Sequence, residues 1–129
     1  RITMDLSGRY SYQKAIDTTN PEDGYYRHQI PYIPLHSGTI TASVGYKDWL
    51  FAYNMQCVGA RYCRQENIFV NYVPLWHTHD LSLSYDFDFN RSRMRLLAEA
   101  KNILNQSYEV IANYPMPGRN YRISIRVSI

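Results

Sequence analysis

His77-Thr78-His79 puts two imidazoles on one face of an extended segment, a spacing able to hold Zn2+ or Cu2+. No third Cys, Asp or Glu follows on that face, because Asp80 points the other way, so the pair reads as an interfacial one and no metal is expected. Tyr25, Tyr26, Arg27 and His28 form an aromatic and basic cluster suited to a polycyclic or anionic ligand. Arg61, Tyr62 and Arg64 form a second cluster of the same kind, and both fall in segments that read as loops, where recognition concentrates. Asp80, Asp86 and Asp88 share one side of an alternating segment, where they either line a substrate path or pair with cations such as Arg122 and Arg126. Cys57 and Cys63 would lie about 20 Å apart on one extended strand at ~3.3 Å per residue. A disulfide closes only below about 7 Å. A reversal of the chain around Gly59 would let them pair, and both states stay open. Catalysis finds no support, with no Gly-x-Ser-x-Gly, no phosphate-cradling glycine loop and no His-Glu-x-x-His. Neither an enzyme activity nor a cofactor is expected.

The elements that must position these groups announce themselves by a period of two, the signature of two-faced strands. Ile2, Met4, Leu6, Gly8, Tyr10 and Tyr12 alternate with Arg1, Thr3, Asp5, Ser7, Arg9 and Ser11. The pattern returns at Ile40 to Tyr46, at Trp49 to Met55 and at Leu81 to Phe89. Tyr121, Ile123, Ile125, Val127 and Ile129 then alternate with Asn120, Arg122, Ser124, Arg126 and Ser128. Residues 93–105 also fit a helical face and carry helix-favouring Leu, Ala, Glu and Lys. A short turn at Asn90-Arg91-Ser92 between strong strands favours a strand there. Lys47-Asp48 is a second tight turn, whereas roughly 14–37, 58–76 and 102–118 are long connections. Successive hairpins therefore gather the short turns at one end of a sheet and the long loops at the other. Outer-membrane barrels sort their connections in this way.

Composition agrees. The 129 residues carry 14 Lys and Arg against 11 Asp and Glu, a net charge of +3 too mild for a nucleic-acid binder. No apolar run approaches the roughly 18 residues of a membrane helix, but a membrane barrel keeps its hydropathy low by alternating. Thirteen Tyr, four Phe and two Trp are present. Trp49 follows a short turn, Phe87 and Phe89 precede one, and Tyr10, Tyr12 and Tyr85 sit on apolar faces, as an interfacial girdle requires. Six strands cannot stand alone in lipid, where open sheet edges find no partners. Arg1 already opens a strand pattern, so the chain reads as a piece of a longer polypeptide.

The segment Ala100-Lys101-Asn102-Ile103-Leu104-Asn105-Gln106-Ser107-Tyr108-Glu109 resembles the Asn-Leu-Phe-Asp/Asn-x-x-Tyr signature near the end of TonB-dependent outer-membrane receptors. Tyr114-Pro115-Met116-Pro117-Gly118-Arg119 resembles that family's Tyr-Pro-x-Pro-Gly-Arg ending, and Ile33-Pro34-Leu35-His36-Ser37-Gly38 its Pro-x-His/Arg element before a strand. The resemblance implies an all-β, antiparallel transmembrane barrel of about 22 strands around an N-terminal plug. Residues 1–129 would supply its last six strands, with the plug and earlier strands absent. It further implies TonB-coupled uptake of a scarce nutrient, closer in flavour to cobalamin, haem or iron-siderophore receptors than to glycan importers. Localisation would be the Gram-negative outer membrane, spanned many times. Partners would be outer-membrane lipid, the rest of the barrel with its plug, TonB through the absent N-terminal part, the barrel-assembly machinery and a surface lipoprotein. Tyr121, Ile123, Ile125, Val127 and Ile129 would form the assembly signal, with Ile129 where the family usually carries Phe. Asp80, Asp86, Asp88, Arg122 and Arg126 would face the lumen. Two other readings share the alternation: a soluble β-sandwich or small-barrel ligand-binding module, and a porin without a plug.

Overall fold

The computed structural model describes residues 1–128; Ile129, the last position of the expected assembly signal, lies outside the described residues. Alternation becomes strand throughout. The long strands are β1 (Ile2–Tyr12), β2 (His36–Tyr46) and β3 (Trp49–Val58), then β6 (Trp76–Phe89), β7 (Ser92–Lys101) and β10 (Asn120–Ser128). They form one antiparallel sheet in the order β1-β2-β3-β6-β7-β10, a plain meander. Two small hairpins belong to the loops: β4 (Arg61–Tyr62) with β5 (Tyr72–Val73), and β8 (Glu109–Ile111) with β9 (Tyr114–Pro115). The ambiguous 93–105 stretch is strand from Ser92 to Lys101, held on both sides by β6 and β10. Its helix propensity, a few tenths of a kcal/mol per residue, loses to two complete hydrogen-bond ladders.

Chain reversal at the short end is achieved with left-handed residues. Asn90 (φ 46°) and Arg91 (φ 72°) close the β6–β7 hairpin, as a two-residue primed turn demands. Lys47 (φ 52°) turns β2 into β3, and the amide of Asp86 donates to the Asp48 carbonyl at 2.9 Å, tying that turn to β6. The three long connections, residues 13–35, 59–75 and 102–119, all emerge at the opposite end.

Register assigns every residue to a face. On one face the cross-strand rows read Ile2, Tyr46, Trp49, Tyr85, Leu96, Ile125, then Met4, Val44, Phe51, Leu83, Ala98, Ile123. Little covers these side chains: Met4 is 75% exposed, Leu6 77% and Ile123 76%. Among the described residues Val73 and Trp76 are the only buried hydrophobic side chains, and both sit at the loop end. A soluble sandwich would bury the apolar face against a second sheet, and the described residues form a single layer. The sheet is open, with one ladder edge of β1 and one of β10 unpaired among the described residues.

Aromatic groups bracket the apolar face. At the turn end Trp49 packs on Tyr85 (centroids 4.5 Å) and Tyr85 on Phe87 (5.8 Å). At the loop end Tyr10 and Tyr12 lie against His36 at 6.1 and 5.2 Å. From His36 to Tyr46, β2 extends about 33 Å at ~3.3 Å per residue. A strand tilt of roughly 35–45° reduces that to about 25 Å, the height of an outer-membrane apolar band.

The two faces should respond oppositely to charge. In the full-length protein folded in detergent, Leu81→Arg on the apolar face is expected to lower unfolding stability by about 2–4 kcal/mol, as for Arg near a bilayer midplane. Ser82→Arg, one residue on and beside Glu99, should cost less than about 1 kcal/mol. Urea titrations of both variants in the same micelles compare them, and equal losses would contradict the assignment of faces.

Candidate functional site

The loop end carries the densest set of long-range side-chain contacts. Residues 13–35 first fold on themselves: Ile16 bridges Gln29, and Asp17 exchanges backbone bonds with Arg27 and His28 at 2.7 and 2.9 Å. Asp17 also accepts from the Thr19 amide at 2.9 Å, and the hydrogen bonds from Thr19 hold its carboxyl below the usual range. This loop is then stitched to the next. The Tyr25 hydroxyl donates to Glu66 at 3.3 Å, and that carboxylate's charge raises the Tyr25 phenol above its ordinary value. His28 Nδ1 meets the Gln65 carbonyl at 3.0 Å, and the Gln29 amide donates to Asn67 Oδ1 at 2.6 Å. Between the two loops lies a cavity of about 290 Å³, lined among others by Ile16, Asp17, Thr19, Tyr25, His28 and Gln65. Tyr25 and His28 are thus brought together with their rings 6.3 Å apart. Tyr26 instead carries the Arg27 guanidinium over its ring at 5.6 Å, outside the cavity wall.

The second cluster divides. Arg61 is only 3% exposed, and its Nη2 donates to the carbonyls of Glu109 and Val110 at 2.9 and 2.8 Å. Burial lowers the pKa of its guanidinium, which nonetheless stays charged at neutral pH. Arg61 is therefore a clamp between the second and third loops and is not offered to solvent. Tyr62 packs edge-on against Tyr72 at 5.8 Å, and its carbonyl accepts from the Tyr32 amide at 2.8 Å. The Tyr32 hydroxyl in turn accepts from the Ala112 amide at 3.4 Å. Of this cluster Arg64 alone is exposed.

The third loop is built by the residues that carry the family resemblance. Asn102 (φ 49°) and Asn105 (φ 54°) take the left-handed conformations that bend the chain off β7. The Asn102 side chain, 3% exposed, donates to the carbonyls of Gln106 (2.8 Å) and Pro117 (3.3 Å) and accepts from the Gln106 amide (2.9 Å). Asn105 Oδ1 accepts from the Arg119 amide at 2.9 Å, and a Cβ at Gly118 would sit 2.7 Å from that oxygen and push the Asn105 side chain from its place. Asp80 caps the Asn102 amide at 2.9 Å, and Gln106 Oε1 accepts from the His77 amide at 2.9 Å. Tyr108 stacks on Trp76 at 4.6 Å, and burial, then the charge of Asp80, raises its phenol. Asn102, Asn105, Tyr108 and Gly118 form a bend lock.

A single layer of antiparallel strands, bare on its apolar face and sorted in its connections, is what a family model also describes. The profile described as TonB dependent receptor-like, beta-barrel matches residues 2–103. The chain belongs to that family. No curated protein matches it. The family implies a Gram-negative outer-membrane barrel with a plug and TonB-coupled transport, and its members are transporters, not enzymes. The match ends as the bend lock begins, so most of the lock lies beyond the matched residues.

In this receptor barrel the polar face is wired by neighbours. Asp86 takes a forked pair from Arg95 at 2.5 and 2.7 Å, with Arg93 at 3.7 Å, and Arg122 pairs with Glu99 at 2.6 Å. Pairing of the aspartates with Arg122 or Arg126 is thus corrected by register. Arg95 stands opposite both Asp86 and Arg126, so Asp86 neutralises a like-charged cross-strand pair. His77 and His79 do share the apolar face, with Nδ1 to Nε2 3.1 Å, and the Tyr53 hydroxyl meets His79 Nδ1 at 2.6 Å. Among the described residues no group of three or more His, Cys, Asp or Glu could hold a metal. Cys57 and Cys63 are free thiols. The reading of the sequence missed Asn67, Gln106, Tyr32 and Trp76, whose partners lie far along the chain.

Arg61→Ala should loosen the loops and spare the wall. The carbonyls of Glu109 and Val110 lose a charged donor, a change of about 1.5–3 kcal/mol in local stability. Hydrogen exchange of the full-length receptor should quicken across residues 109–115, with β6 and β7 unchanged. Unaltered loop exchange would count against the clamp.

Proposed function

We propose that residues 1–129 are the C-terminal part of a TonB-dependent receptor barrel, its last six strands, with plug and earlier strands supplied by the rest of the polypeptide. The observation that carries this reading is the sorting of the connections. Three long loops knit into one platform at one end, two tight turns close the other, and an exposed apolar band lies between two aromatic girdles. The platform is extracellular and the turns are periplasmic. The apolar face meets lipid, and Asp80, Asp86, Asp88, Arg122 and Arg126 face the lumen, where charges are solvated or meet the plug. Tyr121, Ile123, Ile125 and Val127, each more than half exposed, present the barrel-assembly machinery with an apolar edge. The loop platform is the surface a lipoprotein partner would cap.

The transported nutrient is cobalamin, haem or an iron siderophore, captured first by the loops. In support, the cavity between the first two loops is lined by Tyr25 and His28 beside hydrogen-bonding Asp17, Thr19 and Gln65, while Arg27 and Arg64 are exposed nearby in sequence. Such a mixture holds a flat or polycyclic ligand by stacking and fixes it by polar contacts.

A strain lacking the receptor, given limiting haem, siderophore or cobalamin in turn, should lose growth on one of them, and a strain lacking TonB should fail on the same source. With that nutrient, Tyr25→Ala/His28→Ala is expected to weaken binding about tenfold, equivalent to ~1.4 kcal/mol, at normal receptor levels. Full growth of the deletion strain on all three would overturn the substrate assignment.

A further inference from the structure

The apolar face is interrupted at the loop end by a groove of about 320 Å³. Its floor is Gly8 on β1 and Gly38 on β2, and its walls are Tyr10, Ile40, Met55 and Cys57. A Cβ built on Gly8 would meet nothing within 4 Å among the described residues, so a larger side chain there would enter the groove. Directly above, the Tyr10 hydroxyl meets His36 Nδ1 at 2.6 Å. Assigning the phenol as donor leaves the His36 proton on Nε2, free for another acceptor. The same assignment runs along the Tyr53, His79 and His77 chain and leaves the Nε2 proton of His77 free as well. His77 on β6 stands opposite Cys57, and His36 lies on β2 two residues before Gly38.

The charges on this face are one-sided. Among the described strand residues that share it, no Lys, Arg, Asp or Glu occurs, Arg9 beside the groove belonging by register to the other face, and its imidazoles are His36, His77 and His79. Each adjoins a residue of the groove: His36 through its bond to Tyr10, and His77 and His79 across the ladder from Cys57 and Met55. A second groove of about 300 Å³, over Ala98 and Ala100, has no histidine along its walls.

We propose that the Gly8–Gly38 groove seats one acyl chain of a phosphate-bearing lipid of the outer leaflet, whose headgroup accepts hydrogen bonds from His36 and His77. The proposal rests on the orientation given above, with the loops extracellular. The groove is continuous with the lipid-facing band, so a hydrocarbon chain is its natural filling. Donors without any carboxylate on that face complement an anionic headgroup.

The test uses the full-length receptor, delipidated in detergent and titrated with dioleoyl phosphatidic acid or with dioleoylglycerol, which lacks the phosphate. Native mass spectrometry counts the lipid retained. The wild type should hold one phosphatidic acid and release dioleoylglycerol. Gly8→Leu, which fills the groove, and His36→Gln/His77→Gln, which removes the donors, should each lower retention about tenfold. Ala98→Leu in the second groove should leave it unchanged. The histidine variant keeps the question answerable if Gly8→Leu fails to fold. Equal retention by all variants, equal retention of the two lipids, or a receptor dimer that Gly8→Leu dissolves would each overturn the proposal. An epitope inserted after Phe69, which is 93% exposed, and detected on intact cells reports the orientation separately. Its absence from the cell surface would sink the orientation, whatever the lipid result.

Discussion

Every backbone N–H and C=O placed in hydrocarbon must find a partner within the protein, because lipid supplies none. The remaining features of this chain follow from that demand. Six strands answer it for their interior by pairing each neighbour in continuous register, from Ile2 opposite Tyr46 to Ser128 opposite Arg93. They leave it unanswered along the outer edges of β1 and β10. A wall with two open edges is stable only as an arc of something closed, which is why the sheet has almost no hydrophobic core of its own. Its apolar side chains serve the surrounding medium, and its cohesion comes from the ladder.

Once closure is required, the side-chain pattern is constrained too. A strand seen by lipid on one side and by water on the other must alternate, and a slip of one residue would send every charge outward. The ion pairs make such slips costly. Asp86 sits against Arg95, and Glu99 against Arg122, only in the observed register. Exposed pairs of this kind contribute little net stability, so their main effect is to disfavour wrong alignments. The polar groups of the outer face are mostly tyrosine hydroxyls and imidazoles, and no Lys, Arg, Asp or Glu is among the described strand residues of that face. Each imidazole satisfies a neighbour, Tyr10 with His36, and Tyr53 with His79 and His77, at the loop end of the strands.

Much of this was legible in the sequence because period two is a local signal. Strands, turns and the grouping of Asp80, Asp86 and Asp88 on one face need only a residue and its nearest neighbours. The stretch from Ser92 to Lys101 was not decidable locally, since its composition suits a helix, and it was settled by the strands on either side. Cross-strand partners were less accessible. Which arginine meets Asp86 depends on the length of the turn at Asn90-Arg91, and a two-residue reversal places Arg95 there, not Arg122 or Arg126. Loop contacts were beyond reach for the same reason in stronger form. Arg61 reads as a solvent-facing cation beside Tyr62, yet the carbonyls that bury it belong to Glu109 and Val110.

The same distinction explains why the family could be recognised and the ligand could not. The residues carrying the resemblance, Asn102, Asn105, Tyr108 and Gly118, act on the backbone. They supply left-handed bends, cap amides and carbonyls, and leave room where a Cβ would collide with Asn105. Any chain leaving the last hairpin by this route meets the same geometric problem, so the solution is written in residue types that local chemistry can identify. Tyr25 and His28 answer to no such rule. Their positions depend on contacts with Gln65 and Glu66, residues of another loop, and they line a cavity that Gln65 helps to close. A specificity carried by this cavity would be encoded in the pairing of loops, a level above the alternation that builds the wall.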